Sequence, residues 1–401
     1  MTERLYYTDA GLTEFESQVV ACAPVDGRFE VSLAATAFHP TGGGQPNDLG
    51  SLGGHAVLDV IDRDEGGIVH VVDGPLEIGA QVRGVVDWRR RLDHMQQHSG
   101  QHMLSAAFQS VGQAQTTSFH LGVASSTIDL NRVVSPAQIA AAEDEVNRIV
   151  WQDREVRLRF VSAGEVAALP LRKETGREGT LRLIEIEGFD LSACGGTHVA
   201  RTGVVGIIAV TGGEKFKGGT RVEFVCGGRA LARIREWRDV FASTSRVLSV
   251  APMDLSPAIE RLQDENKALG KATRGLQEQL AVHVAGELVA ARSRVDERVV
   301  VVQAMEGWDA TGLKAIATAA AATGAAAGPS GACVAVFSAT SPALVVVACS
   351  PAARVDASFV LKTLLARFGG KGGGKPDFAQ GGGLQGDMAE ILAAARELLA
   401  G

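Results

Sequence analysis

Two pairs of side chains carry the strongest chemical signal in this chain. His98 and His102 form H-x-x-x-H within DHMQQHSGQH, residues 93–102, and Cys194 and His198 form C-x-x-x-H within SACGGTHVA. Residues four apart share one face of a helix, so each pair can aim two donors at one point. Imidazole and thiolate together are the mixture zinc prefers, held at about 2.0–2.3 Å. The halves lie far apart in the chain, so only tertiary folding can bring them together. Ser99 stands where a zinc protease of the H-E-x-x-H type carries its glutamate base, which excludes that chemistry. His94 lies one turn before His98, but the other four donors already complete a tetrahedral set, so it reads as a neighbour or an RNA contact. Four protein ligands ordinarily make a closed structural site. The glycines of CGGTH point the other way, because Gly195 and Gly196 can turn backbone N–H groups toward a substrate.

Two glycine-rich stretches add a second kind of chemistry. In FHPTGGGQPNDLG, residues 38–50, the run Gly42, Gly43, Gly44 lets a backbone approach a ligand closely, and Gln45 can donate and accept hydrogen bonds. The same run also suits a hairpin turn, and it is no P-loop, since no Lys-Ser or Lys-Thr follows. In GGKGGGKPDFAQGGG, residues 369–383, Lys371 and Lys375 stand among glycines, a composition suited to phosphate or a sugar-phosphate backbone. WRRR at 88–91, with Arg89 and Arg91, and GEKFKGGTR at 213–221, with Lys215 and Lys217, add basic surface. Each alone is ordinary solvated charge.

The elements that must position these residues change texture along the chain. Residues 1–85 read as short strands and turns, the pattern of a small β-barrel. From 86, VVDWRRRLDHMQQHSGQHMLSAAFQSV predicts a long helix entered from a strand, and Ser135, Pro136 and Gln138 predict a second helix opened by a capping box. VRLRF, LRLIEIEG, VVGIIAV and TRVEFVC predict strands, giving an α+β domain over 86–240. Residues 241–296 form a helical linker in which Ile259, Leu262, Asn266, Leu269, Thr273, Leu276 and Leu280 follow a 3-4 spacing. That weak heptad, polar at two core positions, suits packing on neighbours or a dimeric coiled coil. RVVVVQAM, an Ala-rich helix, ACVAVFSA and ALVVVACS predict a C-terminal βαβ-type domain over 297–401. The expected fold class is therefore α+β multidomain.

Composition bounds the rest. The chain has 401 residues, 46% hydrophobic and 21% charged, with a net charge of −7. That excludes an overall basic nucleic-acid binder but leaves room for a local basic groove. Five scattered cysteines suggest no disulfide framework, and MTERLYYTDAGL lacks the basic and apolar parts of a signal peptide. The most apolar region, roughly 315–350, is interrupted by GPSG and SATSP, so no membrane span is expected. A reduced, cytoplasmic protein fits these features.

Taken in order, PTGGGQPNDLG, MQQHSGQH, CGGTHV, RVEFVCGGRA and GGKGGGKPDFAQGGG resemble the alanyl-tRNA editing proteins, free-standing relatives of the editing half of alanyl-tRNA synthetase. The resemblance spans essentially the whole chain. Its last motif is similar to the long form of the family, which ends in a DHH-associated domain; nothing resembles the synthetase's ATP-using core. The resemblance implies a zinc-dependent deacylase acting in trans on mischarged tRNA(Ala), Ser-tRNA(Ala) first and Gly-tRNA(Ala) second. It implies His98, His102, Cys194 and His198 as ligands of Zn2+, and the GGGQ stretch as the substrate-side loop with Gln45 foremost. Thr41 occupies a position where the family varies. Thr197 with the amides of Gly195 and Gly196 is the expected oxyanion-stabilising group. The general base is left open between a metal-bound hydroxide and a water held by Gln45 and the terminal ribose hydroxyl. Two other readings stand beside this one: an editing deacylase for another tRNA, like the related domain of threonyl-tRNA synthetase, and an RNA-binding module with structural zinc. A DHH-type phosphodiesterase would need an aspartate-histidine metal cluster that this sequence lacks. A homodimer through the linker helix or the C-terminal domain is also open.

Overall fold

The computed structural model describes residues 2–63, 67–166, 168–173, 179–291, 293–295 and 297–400. The chain divides into two compact units, Met1–Ser243 and Thr244–Gly401.

In the first unit, six antiparallel strands close into a barrel in the order Glu14–Val25, Arg28–Leu33, Gly67–Val72, His55–Arg63, Gly50–Leu52 and Gln81–Val86. Alternation along these strands sends Phe15, Val19, Val31, Leu33, Val57, Val60 and Ile68 into its core, closed by Phe38 and Leu52. Directly after the last strand, Asp87 accepts a hydrogen bond from the Arg90 amide and caps the helix Trp88–Gly112, the predicted long helix. The second predicted helix runs Pro136–Trp151, with the capping box of Ser135 and Gln138 in place. Met103, Leu104, Ala107 and Phe108 pack with Val146 and Ile149 and with Ile128, Val222 and Phe224 of a four-stranded sheet. That sheet is ordered Ile208–Phe216, Gly219–Cys226, Ser126–Leu130, Thr116–Leu121, and a three-stranded sheet joins Val156–Val161, Leu181–Ile186 and Asp190–Ala193.

Two sequence boundaries shift. VVGIIAV does not form a strand throughout: Thr202–Val205 is a 3-10 turn, and the strand begins at Ile208. Gly206 explains this, with φ +69 and its backbone pressed against Gly227. The helix Gly227–Leu248 runs across the expected border at 240/241, because no glycine or proline interrupts it there.

The second unit contains the helix Leu255–Ala290 and a six-stranded sheet. Arg298–Met305 and Ala332–Ser338 pair in parallel across the helix Ala310–Ala326, the βαβ unit the sequence suggests. Ala343–Cys349, Phe378–Leu384 and Lys371–Gly374 extend the sheet antiparallel. The terminal glycine stretch thus forms a β-hairpin, Lys371–Gly374 lying antiparallel to Phe378–Leu384. No helix among the described residues is long and apolar enough to cross a membrane.

Candidate metal centre

The helix Trp88–Gly112 carries His98 and His102 on one buried face, as their spacing requires. Cys194 follows the strand Asp190–Ala193, and His198 stands four residues on. Folding brings the halves together: the donor atoms of His98, His102, Cys194 and His198 all lie within 4.8 Å of one another. The Cys194 Sγ is 3.4 Å from His98 Nε2 and 3.3 Å from His198 Nε2. An ion holding nitrogen and sulfur tetrahedrally at about 2.0–2.3 Å separates those donors by roughly 3.5 Å, so the cluster has the dimensions of a metal site. His94 is outside this group.

Each imidazole has its other nitrogen engaged, which directs Nε2 toward the common point. His98 Nδ1 is 2.9 Å from Gln45 Oε1, His102 Nδ1 is 3.2 Å from Asp190 Oδ2, and His198 Nδ1 is 3.1 Å from Ser99 Oγ. Asp190 is itself held by Arg172 and Ser192. Burial alone would keep Cys194 a thiol, but the charges of His98 and His198 and hydrogen bonds from His102 and His198 hold it well below its usual value. Burial likewise opposes charge on His102, yet Asp190 and Cys194 outweigh it and push this imidazole up to about 9. His198 is pushed down to about 3, chiefly by burial. The thiolate, the form that binds metal, is therefore favoured.

The glycine loop is built for position. Gly42 and Gln45 exchange both backbone hydrogen bonds, at 3.0 Å each, around Gly43 and Gly44, whose φ of +57 and +81 are those of a type I′ turn. The turn faces solvent and swings Gln45 inward, where it is completely buried. Gln45 Oε1 also accepts from the Thr197 amide at 3.0 Å, and its Nε2 donates to Thr197 Oγ1 at 2.8 Å. Gln45 thus bridges His98 and Thr197, engaging both the amide and the hydroxyl of Thr197. Gly196 N–H points at Cys194 Sγ at 3.4 Å, and a Cβ at Gly196 would fall 2.3 Å from His98 Cε1. That glycine makes room for a ligand ring. Gly195 is half-buried, and a Cβ there would meet Tyr7 Oη at 3.4 Å.

Arg91 is also reassigned. It is fully buried and paired with Asp48, Nε lying 3.0 Å from both carboxylate oxygens, so it cannot reach RNA. Asp48 also accepts from the His39 amide at 2.6 Å, and Arg90 donates to Asn47 O at 2.9 Å. The glycine loop is thereby clamped to the ligand helix. Arg89, Lys215 and Lys217 are exposed on the first unit, and Lys371 and Lys375 are exposed on the second.

Sequence reasoning missed Asp190, the orienting role of Ser99, and Arg182. Arg182 donates to Cys194 O at 2.8 Å and Gly196 O at 2.9 Å and shapes the ligand loop. The signal for Ser99 lay inside the histidine motif; Asp190 and Arg182 offered none without knowledge of strand pairing.

Comparison with known proteins agrees with this geometry. Residues 181–223 match the threonyl and alanyl tRNA synthetase second additional domain, and residues 296–401 match the DHHA1 domain. Alanine–tRNA ligase of Halorubrum lacusprofundi is 34% identical over 99% of this chain, which spans only 44% of the ligase. The alanyl-tRNA editing protein Aarsd1 of Danio rerio is 34% identical over 69% of this chain and 71% of its own length. Alanyl-tRNA editing protein AlaX-L of Pyrococcus horikoshii is 35% identical over 69% of this chain and 70% of its own length. The four clustered donors and this shared extent place the chain in the alanyl-tRNA editing protein family.

Proposed function

We propose that this protein is a zinc-dependent aminoacyl-tRNA hydrolase that clears mischarged tRNA(Ala) in trans, with the seryl ester as first substrate and the glycyl ester as second. The observation that carries this reading is the convergence of His98, His102, Cys194 and His198, each imidazole oriented from behind. Three imidazoles and a thiolate suit Zn2+ better than a hard, oxygen-seeking cation. When bound, the ion supplies Lewis acidity and a fixed anchor for substrate. The chain's own residues set the geometry. Gln45 and Asp190 accept from His98 and His102, Ser99 fixes His198, and Arg182 holds the carbonyls of the Cys194 loop. Ester hydrolysis is intrinsically easy, so positioning accounts for much of the required acceleration.

The need for a second site follows from pocket energetics. A pocket shaped for a methyl group cannot exclude glycine by size, and it discriminates against one added hydroxyl by only about 1–3 kcal/mol. Arg89, Lys215 and Lys217 are the phosphate contacts of the first unit, and Lys371 and Lys375 those of the second. Exposed Leu262, Leu269 and Leu276 on the helix Leu255–Ala290 support pairing of two copies. Action on tRNA during translation is consistent with a cytoplasmic protein.

The near-complete burial of His98, His102 and His198 favours one other reading, an RNA-binding module with structural zinc. One experiment separates them. Purified protein is incubated with Ser-, Gly- and Ala-tRNA(Ala), with and without a zinc chelator, alongside Cys194→Ala. Editing requires rapid loss of the seryl ester, retention of the alanyl ester, and a folded but inactive variant. Intact esters throughout, or deacylation at full rate by metal-free protein, would overturn the proposal.

A further inference from the structure

The metal cluster meets solvent at one edge. His98, His102 and His198 are buried, whereas Cys194 and Gly195 are half-exposed. At that edge stands a glycine that its surroundings do not demand. Gly195 has no positive φ, and a Cβ there would have one described neighbour within 4 Å, Tyr7 Oη at an ordinary 3.4 Å. Gly196 differs, since its Cβ would strike the His98 ring. Glycine costs conformational entropy, so room kept at position 195 without a packing reason is room for a ligand. The backbone agrees with this. Gly196 N–H points at Cys194 Sγ and the Thr197 amide at Gln45, but the Gly195 amide has no acceptor among the described residues.

The side chain that faces this space is Tyr7, and it is held at its backbone, its ring and its oxygen. Its carbonyl accepts from Arg182 Nε at 3.1 Å, the Arg182 guanidinium lies 5.2 Å from the ring centroid, and Tyr6 meets the ring edge-on at 5.0 Å. The same guanidinium donates to Cys194 O and Gly196 O, so Tyr7 and the ligand loop share one anchor. Arg4 Nη1 donates to Tyr7 Oη at 3.2 Å, and Arg4 is itself fixed by Asp62 at 2.8 Å. With its oxygen already accepting, the phenol has its own O–H left to give, and no described residue accepts it. A cationic donor on the oxygen polarises that O–H and strengthens it as a donor. Tyr7 is half-exposed, so a substrate can reach it.

We infer that Tyr7 is a catalytic residue of the ester hydrolysis, its hydroxyl donating to the carbonyl oxygen of the aminoacyl ester; this rests on the editing reading. As water adds to the ester carbon and gives up a proton, the carbonyl π electrons move onto oxygen. The Tyr7 O–H binds that oxyanion and keeps its own proton. The tetrahedral species then collapses: the C=O bond re-forms, the bond to the ribose oxygen breaks, and the proton lost by water ends on the ribose oxygen. Arg4 acts through Tyr7 and is a positioning residue.

The test compares the zinc-loaded, full-length protein with Tyr7→Phe, which keeps the ring beside Arg182 and Tyr6 and removes the hydroxyl. Deacylation of Ser-tRNA(Ala) and Gly-tRNA(Ala) gives kcat and KM. Bound zinc per chain, and affinity for a tRNA carrying serine through a non-hydrolysable 3′-amide, are read on the same samples. The expected result is a fall in kcat of about 100-fold, the loss one oxyanion donor represents, equal on both esters because they share the carbonyl. KM, zinc content and affinity for the amide analogue stay at wild-type values, since the interaction strengthens only as charge develops. Arg4→Met is expected to lower kcat less, with KM again unchanged. An unchanged kcat in Tyr7→Phe overturns the inference. So does a loss confined to the seryl ester, which would assign the hydroxyl to the amino-acid side chain. Loss of zinc from Tyr7→Phe, or analogue affinity falling as far as kcat, overturns it as well. Wild-type protein that cleaves neither ester refutes the editing reading itself, a result distinct from an active wild type with an equally active Tyr7→Phe.

Discussion

Two glycine runs in this molecule read alike in sequence and behave differently in the fold. In the first, Gly43 and Gly44 make a turn with positive φ that delivers Gln45 into a dry interior, behind a metal donor. In the second, Gly372 and Gly374 let two backbones lie close, since a Cβ would meet the neighbouring strand at 2.5 and 2.3 Å, and Lys371 and Lys375 are left in water. Glycine serves close approach in both cases, but the polar residue beside it ends up on opposite sides of the surface. The first run is geometry for a site; the second presents charge.

That contrast can be broken at its strongest point by Gln45→Ala. Loss of a partner behind a metal ligand costs about 10–100-fold in metal affinity or activity. Zinc titration and deacylation kinetics should both show it, with tRNA affinity unchanged; equal losses in tRNA binding would place Gln45 at the substrate after all. A smaller effect separates the backbones. Gly44→Ala combines φ +81 with a Cβ 2.6 Å from the Phe119 ring, while Gly373→Ala meets nothing within 4 Å and has no positive φ. Thermal unfolding should register roughly 1–3 kcal/mol for the first and within about 0.5 kcal/mol of wild type for the second. The mildest change is Lys371→Ala with Lys375→Ala. If these lysines face phosphates, the salt dependence of tRNA binding falls by about one unit of slope per lysine, with turnover on bound substrate unaltered. An unchanged slope would remove them from the RNA surface.

How far the sequence could be read depended on the range of the interactions involved. The capping box of Ser135 and Gln138 made the helix around Asn147 legible, because that signal is local. The ligand set was legible because two spaced pairs carry their own chemistry. Asp190 and Arg182 were not, since each acts across a strand pairing that no neighbouring residue announces. Arg91 misled for the same reason: in WRRR it resembles its solvated neighbours, and only Asp48, 43 residues away, shows that it is buried. The glycines of CGGTH suggested exposed amides, whereas Gly196 instead answers the bulk of the His98 ring.

The distance along the chain between the two halves of the metal centre has a temporal consequence. Cys194 follows His98 by 96 residues. At a synthesis speed of about 5–20 residues per second, the helix bearing the histidines leaves the ribosome roughly 5–20 seconds before the sulfur that completes the set. Through that interval the nascent polypeptide offers only two of the four clustered donors, so on the proposed reading capture of a metal ion is a late event of maturation, after the barrel has already emerged.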